Sequence, residues 1–261
     1  MKEYIKKVYK TRYFWSHLAM NDLNARFRRS KLGLLWCVIQ PLFFTIILTV
    51  VFSTVFHQEL KSYSTYILSG IVVWDMLQAG IVSGGNCLFQ SEQYIRQFNH
   101  PITIYSLRYT ILTIITFLLE LIALAIWVIV FEPMNLFLAV ITVPLTVTLF
   151  FPIVWGLSTV AGYMGTKYRD YIPVMTLVMQ ALYYLSPVFF QKEMFMTSDV
   201  LTVVFEVNPV THLLNLIRMP FVYGELPQYT TYLYVLALDV LVVLFAYCIN
   251  KTNERKLIFY L

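Results

Sequence analysis

Charge is what this 261-residue chain has least of: Asp, Glu, Lys and Arg make up 13% of it, against 59% hydrophobic side chains. Soluble domains carry about 25% charged and roughly 45–50% apolar residues. A soluble core would also show amphipathic periodicity in most segments, whereas here whole runs are apolar on every face. Cysteine is scarce as well. Cys37, Cys87 and Cys248 are odd in number and far apart, which excludes a disulfide framework and a cysteine metal site. The four histidines, His17, His57, His100 and His212, are isolated, and no carboxylates cluster beside them. A membrane-embedded transferase or hydrolase needs such clusters. No G-x-x-x-x-G-K-[ST] loop occurs, so the backbone cradle and lysine that hold ATP phosphates are missing, and any ATPase must be another polypeptide. There is no short charged leader before an apolar core, so no cleavable signal peptide is expected.

What is present is a set of long apolar runs. A spanning helix needs about 20 mainly apolar residues. Six runs fit: 32–56, 66–88, 109–131, 136–164, 171–190 and 231–249. Strands of a membrane β-barrel would alternate in polarity, and runs such as 111–130 do not. The expected fold is therefore an all-α integral membrane protein of six transmembrane helices. It divides into a basic interface segment, 1–31, and a transmembrane domain, 32–261.

The cations decide the expected orientation, because cytoplasmic connections retain Lys and Arg. One side collects Lys2, Lys6, Lys7, Lys10, Arg12, Arg26, Arg28, Arg29 and Lys31, then Arg96, Arg108, Lys167, Arg169, Lys251, Arg255 and Lys256. The other has Lys61, Lys192 and Arg218. Sixteen against three puts both termini in the cytoplasm of a multi-pass protein. The net charge of +5 reads as topology and lipid-headgroup attraction, with no nucleic acid partner.

Three segments are more than spans or simple loops. Residues 2–15 interleave Lys and Arg with Tyr4, Ile5, Val8, Tyr9, Phe14 and Trp15, the pattern of an amphipathic helix in the headgroup plane. In the connection 89–108, SEQYIRQFNHP starts as a helix that Pro101 ends, predicting a short helix at about 90–100 parallel to the membrane. Between the fifth and sixth spans, 191–230 holds two apolar stretches, 200–207 and 210–222, each too short to cross and separated by Asn208 and Pro209. Proline at the break predicts a re-entrant helical hairpin entering from the periplasmic side.

Asp75, Glu120 and Asp239 fall near the middle of the second, third and sixth spans, where an acid is costly unless paired, protonated or wet. They are functional candidates, and a proton-coupled secondary transporter would use them as a relay. Polar packing between helices accounts for them equally.

Several stretches resemble one family in its own order. They are LNARFRRSKLGLLWCVIQPLFFTIILTVVF at 23–52, YILSGIVVWDML at 66–77, EQYIRQFNHPITIYSLR at 92–108, KYRDYIPVMTLVMQALYYLSPVFF at 167–190 and NPVTHLLNLIRMPFVYG at 208–224. Together they look like permease subunits of ABC-2 type polysaccharide exporters, which carry O-antigen, capsule or teichoic acid, and most like the O-antigen branch. The resemblance implies a homodimer joined to two copies of a nucleotide-binding ATPase. That assembly would move a polyprenyl-diphosphate-linked glycan across the bacterial inner membrane. No cofactor is implied in this chain; ATP and Mg²⁺ belong to the partner. The resemblance makes Glu92, Gln93, Tyr94, Ile95, Arg96 and Gln97 the contact with the ATPase, and Arg26, Arg28, Arg29 and Tyr9 candidates for the lipid diphosphate and its gate. Aromatic residues make up 17% of the chain and offer sugars flat apolar faces. Trp36, Phe43, Phe44, Trp74, Tyr183, Tyr184, Phe189 and Phe190 are the channel-facing candidates, with belts and helix packing the competing use of such rings. Export of a drug or small lipid remains the alternative within the same class.

Overall fold

A computed structural model describes residues 2–56, 59–131, 136–190, 208–254 and 256–261. Among these residues all regular structure is helical. The helices are α1 (Lys2–Lys10), α2 (Arg12–Phe27), α3 (Trp36–Phe56), α4 (Leu60–Ile81), α5 (Glu92–Gln97), α6 (Thr103–Phe131), α7 (Leu136–Lys167), α8 (Tyr171–Leu185), α9 (Pro209–Arg218) and α10 (Tyr229–Asn253).

Among the described residues five stretches are long and apolar enough to cross a membrane: Gly33–Val55, Leu60–Asn86, Thr103–Phe131, Leu136–Lys167 and Tyr229–Asn253. The run expected as a fifth span behaves differently. Its helix stops at Leu185, about 22 Å at 1.5 Å per residue, because Ser186 is extended ahead of Pro187. The first stretch of the expected hairpin, 200–207, lies outside the described residues. The second begins where Asn208 caps α9, its Oδ1 accepting from the Val210 N–H at 2.9 Å with Pro209 in the first turn. The same side chain donates to Ser186 Oγ at 2.9 Å, tying the end of α8 to the start of α9.

The Leu60–Asn86 stretch is the hub, with 72% of its apolar window buried, against 22% for Gly33–Val55 and 17% for Tyr229–Asn253. The main core joins α4 to α6, α7 and α9 through side chains such as Ile67, Phe117, Phe150 and Leu214. Where the turn after α4 crosses α7, Gly165 is required: a Cβ there would lie 2.2 Å from the Gly85 carbonyl oxygen.

Helix directions follow from side-chain contacts. Tyr109 Oη, early in α6, donates to the Ala79 carbonyl at the close of α4, so those two run antiparallel. Tyr163 Oη donates to Asn250 Oδ1 at 2.7 Å, and Gly156 packs on Val242, so α7 and α10 run parallel. One end of the bundle therefore gathers both termini, the 83–108 connection and the close of α7. A second, smaller core forms there from Leu88, Ile95, Ile104, Tyr163 and Leu257, with Phe14 and Trp15 packed against it.

Candidate functional site

The terminus-bearing end joins segments that are remote in sequence. Tyr4 of α1 anchors it: its Oη lies 2.8 Å from Thr103 Oγ1, donates to Glu254 Oε1 at 3.0 Å and accepts from Asn250 Nδ2 at 3.0 Å. Burial pushes the Tyr4 phenol above its ordinary pKa, keeping it a neutral donor to the carboxylate. Next along the chain, Asp22 of α2 takes a two-pronged ion pair from Arg108 of α6. The Arg108 guanidinium also sits 5.7 Å from the centre of the Tyr94 ring.

The six residues Glu92–Gln97 form one helix, α5, inside the expected stretch of about 90–100 but shorter than it, because the chain turns extended at Phe98, ahead of Pro101. Glu92 and Arg96, four residues apart, pair at 2.8 Å on its outer side. Ile95 points inward and is buried, while Gln93, Arg96 and Gln97 are exposed. Tyr94 meets Phe14 of α2 edge-on at 6.1 Å, and Phe14 also contacts Phe98 and His100 at 5.9 and 5.1 Å. The short helix is thus clamped to the amino-terminal segment by rings and a charge, with its polar face left outward.

Arg26, Arg28 and Arg29 stand at the close of α2 and in the turn after it, all exposed. Tyr9 is in α1, 65% exposed and covered by Arg12 at 4.5 Å. The body of α2 separates it from Arg26 by about 20 Å of helical rise, so these four residues do not form one cluster.

Arg26 instead lines a cavity of about 260 Å³ that runs into the bundle between α3, α4 and α6. Phe27, Trp36, Cys37 and Gln40 also line it; α4 contributes Asp75 and Gln78, and α6 contributes Tyr109, Thr113, Thr116 and Glu120. Glu120 is only 8% exposed. Among the described residues the ion pairs are Arg96–Glu92 and Arg108–Asp22, so neither Asp75 nor Glu120 has a cation at contact. Trp36, Gln40 and Asp75 also belong to an open groove of about 600 Å³ with Phe43 and Phe44 along the outer side of α3.

The aromatic candidates therefore separate. Trp36, Phe43 and Phe44 line that groove and are 44–63% exposed. Trp74 and Phe189 are interior, 3% exposed each, and pack on Tyr183 at 5.0 and 4.5 Å. Phe190 packs against the main core, and Tyr184 is 58% exposed.

Two features escaped the sequence. Asp75 and Glu120 share a cavity, which needs the register of α4 against α6; spacing along the chain carries no sign of it. Asp239 does not join them and is buried on α10. Arg218, counted above as a loop cation, is 3% exposed. It donates to the carbonyls of Pro187 and Val188 and lies 3.6 Å from the Tyr66 ring centre. The signal available was its place in the last turn of an amphipathic helix, where a cation satisfies free carbonyls.

A bundle of long apolar helices with a polar, basic end and a cavity between spans defines a multi-pass membrane protein, and residues 13–222 match the ABC-2 type transporter family. The chain belongs to that family. It is 22% identical over 255 residues to the O-antigen export system permease protein RfbA of Klebsiella pneumoniae, covering 96% of this chain and 97% of that one. A protein of the same name from Myxococcus xanthus is 18% identical over 257 residues, covering 97% and 96%. Another from Klebsiella pneumoniae is 20% identical over 255 residues, covering 96% and 97%.

Proposed function

We propose that this chain is the membrane subunit of an ATP-driven exporter that moves a lipid-linked polysaccharide of O-antigen type across the bacterial inner membrane. The observation that carries this reading is similarity along almost the whole chain to O-antigen export permeases, within a family match over residues 13–222. The chain supplies the path and does no bond chemistry; ATP and Mg²⁺ act in two copies of a separate ATPase. Two copies of this chain surround the path. The lightly buried Gly33–Val55 and Tyr229–Asn253 stretches offer apolar surface to a second copy or to lipid.

Six crossings with both termini in the cytoplasm suit the parallel pair α7 and α10. Parallel neighbours require the chain between them to return across the bilayer, a crossing that falls to α8 and the residues beside it. On this topology α1 and α2 lie at the cytoplasmic interface, and α9 lies on the periplasmic side as part of the expected re-entrant hairpin. The exposed polar face of α5 then points toward the ATPase, and its clamp to α2 passes motion from Glu92–Gln97 to Arg26, Arg28 and Arg29. Those cations meet the lipid diphosphate. Trp36, Phe43 and Phe44 line the way for the glycan.

The deciding experiment reconstitutes the chain with its ATPase and measures glycan-lipid export at zero proton gradient. ATP-dependent export is expected. Export that needs a gradient and ignores ATP would instead make Asp75 and Glu120 parts of a proton relay. A panel with drugs and short lipids replacing the glycan lipid separates substrate classes, with transport of the glycan lipid expected.

A further inference from the structure

The cavity of Asp75 and Glu120 has a chemistry that the export reading leaves unused. Two of its hydroxyls have spent their protons on backbone carbonyls: Thr113 donates to Tyr109 O at 3.1 Å and Thr116 to Leu112 O at 3.0 Å. Their lone pairs and the carboxylate oxygens remain as acceptors, beside the amides of Gln40 and Gln78, which both donate and accept. Glu120, more than nine-tenths buried, lines this space with no cation at contact among the described residues. A buried carboxylate without donors is costly, so the cavity suits a guest that brings several. A hard metal ion is a poor match. No group of three or more His, Cys, Asp or Glu side chains converges among the described residues, and Arg26 shares the space. A sugar ring matches: its hydroxyls donate to carboxylates while Trp36 offers an apolar face to its C–H groups. The volume of about 260 Å³ suits one ring rather than a chain.

Charge sets the direction of the guest. Arg26 is exposed and Glu120 is buried, which fits an amphiphile whose anionic phosphate meets Arg26 and whose first sugar reaches inward. We propose that this cavity binds the sugar attached directly to the lipid phosphate, with Asp75 and Glu120 accepting its hydroxyls. The proposal rests on the glycan-lipid reading above. It assigns substrate selection to one protomer's interior, beside the groove of Phe43 and Phe44, which shares Trp36, Gln40 and Asp75 with the cavity and along which the rest of a polymer would pass.

Cys37 lines the same cavity and is a built-in reporter. In the full chain with its ATPase, Cys87→Ser and Cys248→Ser leave Cys37 as the thiol to follow, and its rate of alkylation is measured. Two probes are compared: farnesyl diphosphate and farnesyl diphosphate carrying one hexose. The sugar-bearing probe is expected to halve the rate at a concentration at least fivefold lower than the bare probe. Glu120→Gln or Asp75→Asn should erase that difference, and Arg26→Gln should weaken both probes. The Trp36 emission, taken as the difference from a Trp36→Phe chain, gives the same titration if Cys37 reacts too slowly. Gel filtration confirms that each variant is folded, and Thr116→Val provides a second interior change.

Equal protection by both probes, by either readout, would overturn the proposal. So would full protection by NaCl or MgCl₂ alone, which would make this a cation site. ATP-driven export is measured in the same proteoliposomes. Export that persists while the probes act equally defeats this inference and leaves the transport reading standing. Sugar-dependent protection without ATP-driven export does the reverse.

Discussion

Arg218 shows how one side chain holds the far end of the bundle together. Its guanidinium is capped by carbonyl oxygens of Pro187, Val188 and Tyr66 and by the Tyr66 ring. Around it, Tyr63 Oη donates to the Phe189 carbonyl at 2.9 Å, and Tyr66 Oη to the Pro187 and Phe190 carbonyls at 3.1 and 2.9 Å. The backbone that leaves α8 thus finds its donors on α4 and α9 and not in a helix of its own. A planar fork reaches several carbonyls at once where an ammonium is a single point charge. Gly70 makes room for it, because a Cβ there would lie 2.7 Å from Arg218 Nη2 and from Val188 O. Arg218→Met should strand those carbonyls at about 1–3 kcal/mol each, lowering stability by about 3 kcal/mol in all. Thermal unfolding in detergent reads this as a lower midpoint. Arg218→Lys should recover only part of the loss.

At the scale of elements, the clamp between α2 and α5 is the feature with mechanical content. The existence of α5 was readable in the sequence, but its end was not: the helix stops at Gln97 with Phe98 extended, ahead of Pro101. Its partner was not readable: Phe14 is 80 residues from Tyr94, and only the fold brings their rings to 6.1 Å. Under the proposed coupling, Phe14→Ala removes the ring that Tyr94, Phe98 and His100 share while leaving the outer face of α5 intact. ATP hydrolysis by the reconstituted complex should stay near its original rate while export falls at least fivefold. Equal loss of both would show that the ring serves assembly and not transmission. The Arg108–Asp22 pair backs the same joint, and as a partly exposed contact it is worth about 1 kcal/mol.

For the whole molecule, direction is the main constraint. α10 runs the length of the bundle, so Tyr229 and Asn253 fall at opposite ends, and Asn253 shares an end with Tyr4 and Arg26. In intact inner-membrane vesicles lacking native cysteines, Tyr229→Cys and Asn253→Cys should react with a membrane-impermeant maleimide from opposite faces. Labelling of both from one face would remove the six-crossing topology. The lopsided burial of the helices belongs to this scale too. α4 is enclosed as a hub, whereas α3 and α10 keep apolar side chains such as Val50 and Leu241 outward, 57% and 66% exposed.

The sequence by itself determined that the chain is an apolar helical bundle with a basic end, where α5 lies, and which stretches resemble a polysaccharide-exporter permease. These properties are local: runs about 20 residues long, a proline that stops a helix, and cations kept on one side. Only the tertiary structure decided that the backbone following the helix of the fifth run is held by Arg218. It also decided that Arg26, Asp75 and Glu120 face one cavity and that Trp74 and Phe189 are interior. Each of those outcomes depends on the register and rotation of one helix against another. An apolar run looks much the same on every face, so its composition cannot say which face turns inward.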